Sequence, residues 1–211
     1  MTGWWRRNRL ALVLVPVALV LAAAGNASRL DDYWWSRDLH QAVRPGDGGV
    51  AAVRTEYDDG TLQYPISADV SLTSVTRVSS VTLDGRSRAV TLPDDSALWQ
   101  VVMHWAADPS TVLSGCQIGI QGVDGRFWEK PYPDLLDAGS TTLPFSPCVP
   151  DDTPGPQVKL DLSGIQPAKA GEERPPAYDV TVYVVTAADA VPAEVRVWWL
   201  PPLYASLPVR R

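Results

Sequence analysis

The chain has 211 residues, 24 acidic against 18 basic side chains, and a formal net charge of −6. Arg6, Arg7 and Arg9 all lie in the first nine positions, so the remainder holds 15 basic against 24 acidic residues, a balance of −9. That balance excludes nucleic acid and anionic lipid headgroups as partners of the main body, because phosphate repels it.

Residues 1–9 form a basic flank without an acid, and residues 10–24 are an unbroken apolar run. A cationic flank ahead of an apolar run stays in the cytoplasm, so the rest of the chain is expected on the extracytoplasmic side. Carried on through residues 25–27, the tolerable stretch reaches 18 residues. That is about 27 Å of helix, close to a hydrocarbon core of about 30 Å. Trp4 and Trp5 precede the run and Tyr33, Trp34 and Trp35 come after it, as aromatics do at the two faces of a membrane.

Residues 10–27 therefore read as a single-pass signal anchor in the cell membrane with the N-terminus cytoplasmic. Residues 28–45 read as a juxtamembrane helix, since Leu30, Trp34, Trp35, Leu39 and Ala42 keep a helical spacing up to Arg44-Pro45-Gly46. The alternative is a signal peptide ending at Ala22-Ala23-Ala24, with the remainder secreted. No cysteine comes directly after the run, which excludes a lipid anchor there.

Residues 46–211 suffice for one buried core. The 19 prolines and 15 glycines of the chain disfavour long helices and favour short strands joined by turns. Residues 66–75 and 78–83 are the first strand expectations, the second turning at Asp84-Gly85 into residues 89–92. Residues 98–105 alternate, with Trp99, Val101, Met103 and Trp105 on one face and Leu98, Gln100, Val102 and His104 on the other. In residues 116–121, Cys116, Ile118 and Ile120 share a face, and Asp124-Gly125 is a hairpin signal leading to Phe127 and Trp128.

Residues 131–156 hold seven prolines, residues 164–176 are polar, and both read as irregular. Val180, Val182 and Val184 alternate with Thr181, Tyr183 and Val185. After a turn over residues 187–192, Val195, Val197 and Trp199 alternate with Glu194, Arg196 and Trp198. This pair reads as an antiparallel hairpin ended by Pro201-Pro202. Seven or eight such strands indicate an all-β, antiparallel β-sandwich behind one N-terminal helix.

Cys116 and Cys148 in an exported chain are expected to form a disulfide, stabilising by about 3–4 kcal/mol on the chain-entropy model. It would clamp the proline-rich flap to the core.

The succession LWQVVMHW, CQIGIQGVDGRFW, YDVTVYVV and VRVWW resembles the Ig-like β-sandwiches of small exported actinobacterial proteins, the secreted-antigen type among them. The resemblance covers residues 66–200. It implies an Ig-like fold and a bacterial cell-envelope location, and it supplies no catalytic residues.

No Gly-x-Ser-x-Gly elbow, Ser-x-x-Lys, His-Glu-x-x-His or phosphate loop occurs, so no enzyme and no cofactor is expected. Two cysteines and two histidines without ligand spacing predict no metal. His104 reads as a hydrogen-bonded structural histidine. The pairs Asp31-Asp32, Asp58-Asp59, Asp94-Asp95 and Asp151-Asp152 read as turn acids and not as a calcium loop.

The remaining candidate is aromatic surface. On the expected C-terminal hairpin, Tyr183, Val185, Arg196 and Trp198 face outward, with the residue types that dominate interface hot spots. Trp198→Ala would then move stability by only about 0.5 kcal/mol. The expectation is a non-enzymatic domain binding a protein or cell-envelope partner. The alternatives are an accessory subunit held to a membrane complex through its helix, and an envelope glycan hydrolase with a site under residues 131–156.

Overall fold

The computed structural model describes residues 2–26, 29, 35–83, 86–129, 147–159 and 164–210. The chain divides into two compact units, Met1–Leu39 and His40–Arg211. Trp5 falls within the first helix, but nothing of its side chain is described. Tyr33, Trp34 and most of residues 131–156 lie outside the described residues.

In the first unit, helix α1 covers Thr2–Gly25 with Pro16 inside it. Its segment Arg7–Gly25 has a mean hydropathy of 1.9 and none of it is buried, so by length and composition it can cross a membrane or serve as a signal sequence. Asn26 closes the helix: its side-chain amide donates to the Ala22 carbonyl at 2.8 Å, and its backbone N–H reaches Ala22 and Ala23. That contact satisfies carbonyls left over in the last turn. Trp4 and Trp35 are 59% and 60% exposed.

The helical spacing read through residue 43 is corrected in part. Residues 41–43 form strand β1 (Gln41–Val43), and β1 pairs in parallel with β13 (Leu203–Pro208). A strand partner arriving from about 160 residues downstream outweighs a local periodicity of three or four apolar positions. The β-unit consequently begins at His40, whose N–H donates to Pro202 O, and not at residue 46.

The remaining strands are β2 (Val50–Asp58), β3 (Gln63–Val78), β4 (Ser80–Leu83), β5 (Arg86–Ala89), β6 (Ser96–Ala107), β7 (Gln117–Gly122), β8 (Phe127–Glu129), β9 (Gln157–Val158), β10 (Ile165–Gln166), β11 (Ala177–Ala187) and β12 (Pro192–Trp198). They form a five-stranded sheet ordered β1-β13-β12-β7-β8 and a four-stranded sheet ordered β11-β6-β3-β2, with β4-β5 and β9-β10 as separate hairpins. Strand alternation generates the core. Val53, Ile66, Val101, Met103, Trp105 and Val182 of one sheet share a buried cluster with Ile118, Ile120, Val195, Val197, Ala205 and Leu207 of the other.

The expected β11–β12 hairpin is corrected. β11 pairs with β6 in the four-stranded sheet, while β12 pairs with β7 and β13 in the five-stranded one. Residues 188–191 therefore carry the chain from one sheet to the other. Alternation fixes which side chains of a strand face inward, but it does not say which strand lies beside it. After Pro201-Pro202 the chain returns as β13.

The Cys116–Cys148 disulfide forms, with Cα atoms 6.2 Å apart. Both cysteines are buried in the core. Arg174 supports the same end of the unit. Its guanidinium Nη2 donates to the carbonyls of Asp108 and Thr111, each at 2.8 Å, and the guanidinium lies over the Tyr178 ring at 5.7 Å. Burial pushes its pKa down. One buried cation thus fastens the loop after β6 to the segment beyond Cys148, through a longer 3.4 Å contact to Pro154 O.

Candidate functional site

The outer faces of the two sheets carry the side chains that are not spent on the core. On the five-stranded sheet, β12 sends Arg196 and Trp198 outward, β13 sends Tyr204 and β8 sends Phe127. The Arg196 guanidinium lies 4.6 Å from the Tyr204 ring centroid and 5.6 Å from that of Phe127. Phe127 in turn meets Trp198 at 5.8 Å with the rings tilted by 51°. Arg196 also donates through Nε to Glu194 at 3.1 Å and through Nη2 to Gln121. The result is a rib of stacked aromatic and guanidinium groups crossing four strands. Such cation–π contacts stabilise by about 0.5–2 kcal/mol each, depending on desolvation.

Gly119 makes the rib possible. It stands opposite Arg196 in the β7–β12 register, and Phe127 lies directly over it. A Cβ there would fall 2.8 Å from the Trp128 carbonyl oxygen and would strike the Phe127 ring.

The outer face of the four-stranded sheet divides in two. The β4-β5 hairpin covers one half, packing Val81 with Leu98 and Tyr183 and drawing in Val78, Val90, Leu92 and Val185. The Tyr183 hydroxyl accepts from Thr82 N–H at 2.8 Å. The other half stays open and polar. Arg54 pairs with Asp69 at 2.7 Å, and His104 Nδ1 meets Asp179 Oδ1 at 2.7 Å with the side chains 50% and 65% exposed. Register sets Ser71 of β3 directly across from His104 of β6, and Asp179 of β11 across from it on the far side. Ser71, His104 and Asp179 thus form one row over three neighbouring strands, with directly opposed Cβ atoms about 4.5–5.5 Å apart.

This geometry separates the four residues expected to share a surface. Tyr183 and Val185 lie on the four-stranded sheet beneath the β4-β5 hairpin, and Arg196 and Trp198 lie on the outer face of the opposite sheet. Trp198 points away from the core, as alternation requires, yet it is only 7% exposed. Alternation reports the direction of a side chain and not whether a neighbouring strand brings a ring such as Phe127 over it. His104 is hydrogen-bonded, as expected, but on the open surface. Of the expected turn acids, Asp31 and Asp32 lie outside the described residues, and Asp58 and Asp59 behave as turn acids. Asp58 accepts from Gly60 N–H, and Asp59 accepts from Thr61 and Leu62 N–H, which holds its carboxyl below the ordinary range.

Sequence reading missed the Ser71 row and the Arg174 clamp. The available signal for the first was the placement of His104 and Asp179 on the non-core faces of their strands. Nothing in the polar stretch around Arg174 marks it as buried.

A cleft of about 380 Å³ opens beside the row, lined by Ser71–Val75 of β3, by Pro45, Gly48 and Gly49, and by residues 207–210. Among the described residues no group of three or more His, Cys, Asp or Glu side chains could hold a metal ion. No family model, curated protein or solved structure matches this chain.

Proposed function

We propose that the protein is a membrane-tethered, extracytoplasmic, non-enzymatic domain with an Ig-like sandwich fold, and that it binds a protein or cell-envelope partner through the outer face of its five-stranded sheet. The tether is the apolar helix behind its arginine flank, and the oxidised cysteine pair accords with an extracytoplasmic compartment. The binding reading is carried by Arg196, fixed between Tyr204 and Phe127 with its side chain 17% exposed. Arginine and aromatic groups dominate hot spots. Groups already held in place lose little rotamer freedom when a partner arrives.

The test is site-directed photocrosslinking of the full chain in its native membrane. A photoactivatable residue at Gln117, on the rib face, should give a discrete adduct, and one at Ser67, on the opposite sheet, should not. Adducts from Ser67 alone, or from neither position, would remove the proposed face.

A second reading, hydrolytic, has one observation in its favour, the Ser71–His104–Asp179 row. In it the Ser71 hydroxyl attacks an acyl carbon while His104 Nε2 takes its proton and Asp179 holds the imidazole at Nδ1. Against it, β6 spends its backbone donors on the strands at both its sides, where an oxyanion would need them, and the His104 and Asp179 side chains are 50% and 65% exposed to water. A fluorophosphonate probe decides the matter. Labelling that is lost in both Ser71→Ala and His104→Ala would establish the hydrolytic reading, and an unlabelled wild-type chain would dismiss it.

A further inference from the structure

We infer that the open edge of β3 over residues 72–78 is a docking site for an extended acidic peptide segment, which adds to the four-stranded sheet as a further strand. This rests on the reading of the domain as a binding module and names a partner chemistry for it at a place distinct from the rib.

β3 is 16 residues long, but β2 accompanies it only from Gln63 to Ser71. Beyond Ser71, β3 pairs with β6 on one side as far as Val78. Among the described residues, no strand pairs with its other side. Seven extended residues leave about 23 Å of backbone whose alternate N–H and C=O groups face outward. An unpaired edge of this kind is a template for strand addition.

The edge does not face open solvent throughout. The cleft of about 380 Å³ lies along it, with Gly48, Gly49 and Pro45 on one wall and Leu207, Pro208 and Val209 on another. That volume falls within the ordinary range of ligand clefts. Backbone hydrogen bonds tie the walls to neighbouring segments. Gly46 N–H donates to Val50 O and Gly49 N–H to Gly46 O, while Val209 N–H is fixed on Ala193 O. Arg210, the next residue, lies over Gly49, where a Cβ would stand 3.1 Å from its guanidinium. Gly49 also has φ +75°, so glycine is required there twice over.

Charge selects the occupant. Among the described residues that line the cleft, Arg210 is the one charged side chain and there is no acid. The cleft is thus locally basic within a chain of net charge −6. A second copy of the chain would bring its own Arg210 toward this one without supplying a carboxylate, which does not favour self-pairing. The register shift between Leu72 and Ser74 in the β3–β6 pairing kinks the edge and opposes indiscriminate pairing too. An extended segment with a carboxylate meeting Arg210 satisfies both the backbone and the charge.

The experiment uses the full chain in detergent and two synthetic seven-residue peptides of alternating valine and threonine, one ending in two aspartates and the other in two lysines. Hydrogen exchange is followed by mass spectrometry. The aspartate peptide should slow exchange over residues 72–78 and bind about tenfold tighter than the lysine peptide, and Arg210→Glu should reverse that order without lowering the melting temperature. Equal binding of the two peptides, protection elsewhere, or no protection would overturn the inference. A peptide-free chain that runs as a dimer with the edge already protected would also overturn it in favour of self-pairing. Loss of the edge with rib-face crosslinking intact would leave the broader functional reading standing. Crosslinking lost with edge binding intact would do the reverse.

Discussion

Trp105 and Trp199 meet edge to face across the two sheets, with ring centroids 6.2 Å apart and planes at 87°. The contact joins β6 to the residue just beyond β12, so each sheet positions the other. The two indoles are unequal. Trp199 Nε1 donates to the Leu113 carbonyl at 3.2 Å, whereas Trp105 Nε1 is buried without a partner among the described residues. Trp199→Phe leaves a buried carbonyl unpaired, while Trp105→Phe removes an unsatisfied donor that costs about 1–3 kcal/mol. Urea midpoints of the two variants should rank Trp105→Phe as the more stable. The opposite order would mean that ring volume outweighs polar pairing here.

Trp198 should behave as a packed residue although it faces away from the core. Its contact with Phe127 and its low exposure predict that Trp198→Ala costs about 2–4 kcal/mol, near the range for large core truncations. A thermal melt unchanged from wild type would show that the rib contributes no stability.

Gly119→Ala should expel Phe127 from its place over β7. Overpacking of this kind costs about 1–3 kcal/mol. Because the displaced ring is a neighbour of Arg196, the same change should abolish crosslinking from Gln117. Retained crosslinking at wild-type stability would contradict the close approach.

Alkali should weaken the fold through Tyr178. Its hydroxyl donates to the Cys148 carbonyl at 2.8 Å, and burial raises its pKa to about 12 from an ordinary value of 10.0. A raised folded pKa gives stability that is complete below pH 10 and lost as pH rises through 12, about 2–3 kcal/mol for this group. Tyr178→Phe should flatten that part of the stability profile. Burial also raises Tyr64, so a residual slope should persist. An unchanged profile in Tyr178→Phe would assign the alkaline loss elsewhere.

The tether has a direct test. A reporter fused after Arg211 should be active only outside the cytoplasm, and the mature chain should retain Trp4. N-terminal sequencing that starts near Gly25 or Ser28 would replace the anchor with a cleaved signal.

The sequence by itself determined the features that rest on local chemistry. The apolar run predicted a helix able to cross a membrane. Period-two alternation predicted that Trp99, Val101, Met103 and Trp105 share a face, as do Cys116, Ile118 and Ile120, and Val195, Val197 and Trp199, because each set depends only on the backbone pleat. The Asp124-Gly125 turn was legible from its own residues, and the cysteine pairing from the presence of two cysteines in a chain expected outside the cytoplasm. Tertiary structure alone decided which strands lie side by side. β1 and β13 gave no strong pattern of their own: β1 is a strand because β13 lies beside it, and β13 lies between β1 and β12. β11 and β12 look like a hairpin in sequence, yet they part into different sheets at residues 188–191. The same nonlocal pairing brings Phe127 over Trp198, sets Ser71 and Asp179 on either side of His104, and leaves residues 72–78 without a strand on one side. Register and partner choice depend on contacts between residues far apart in the chain, and a single strand's alternation carries no information about them.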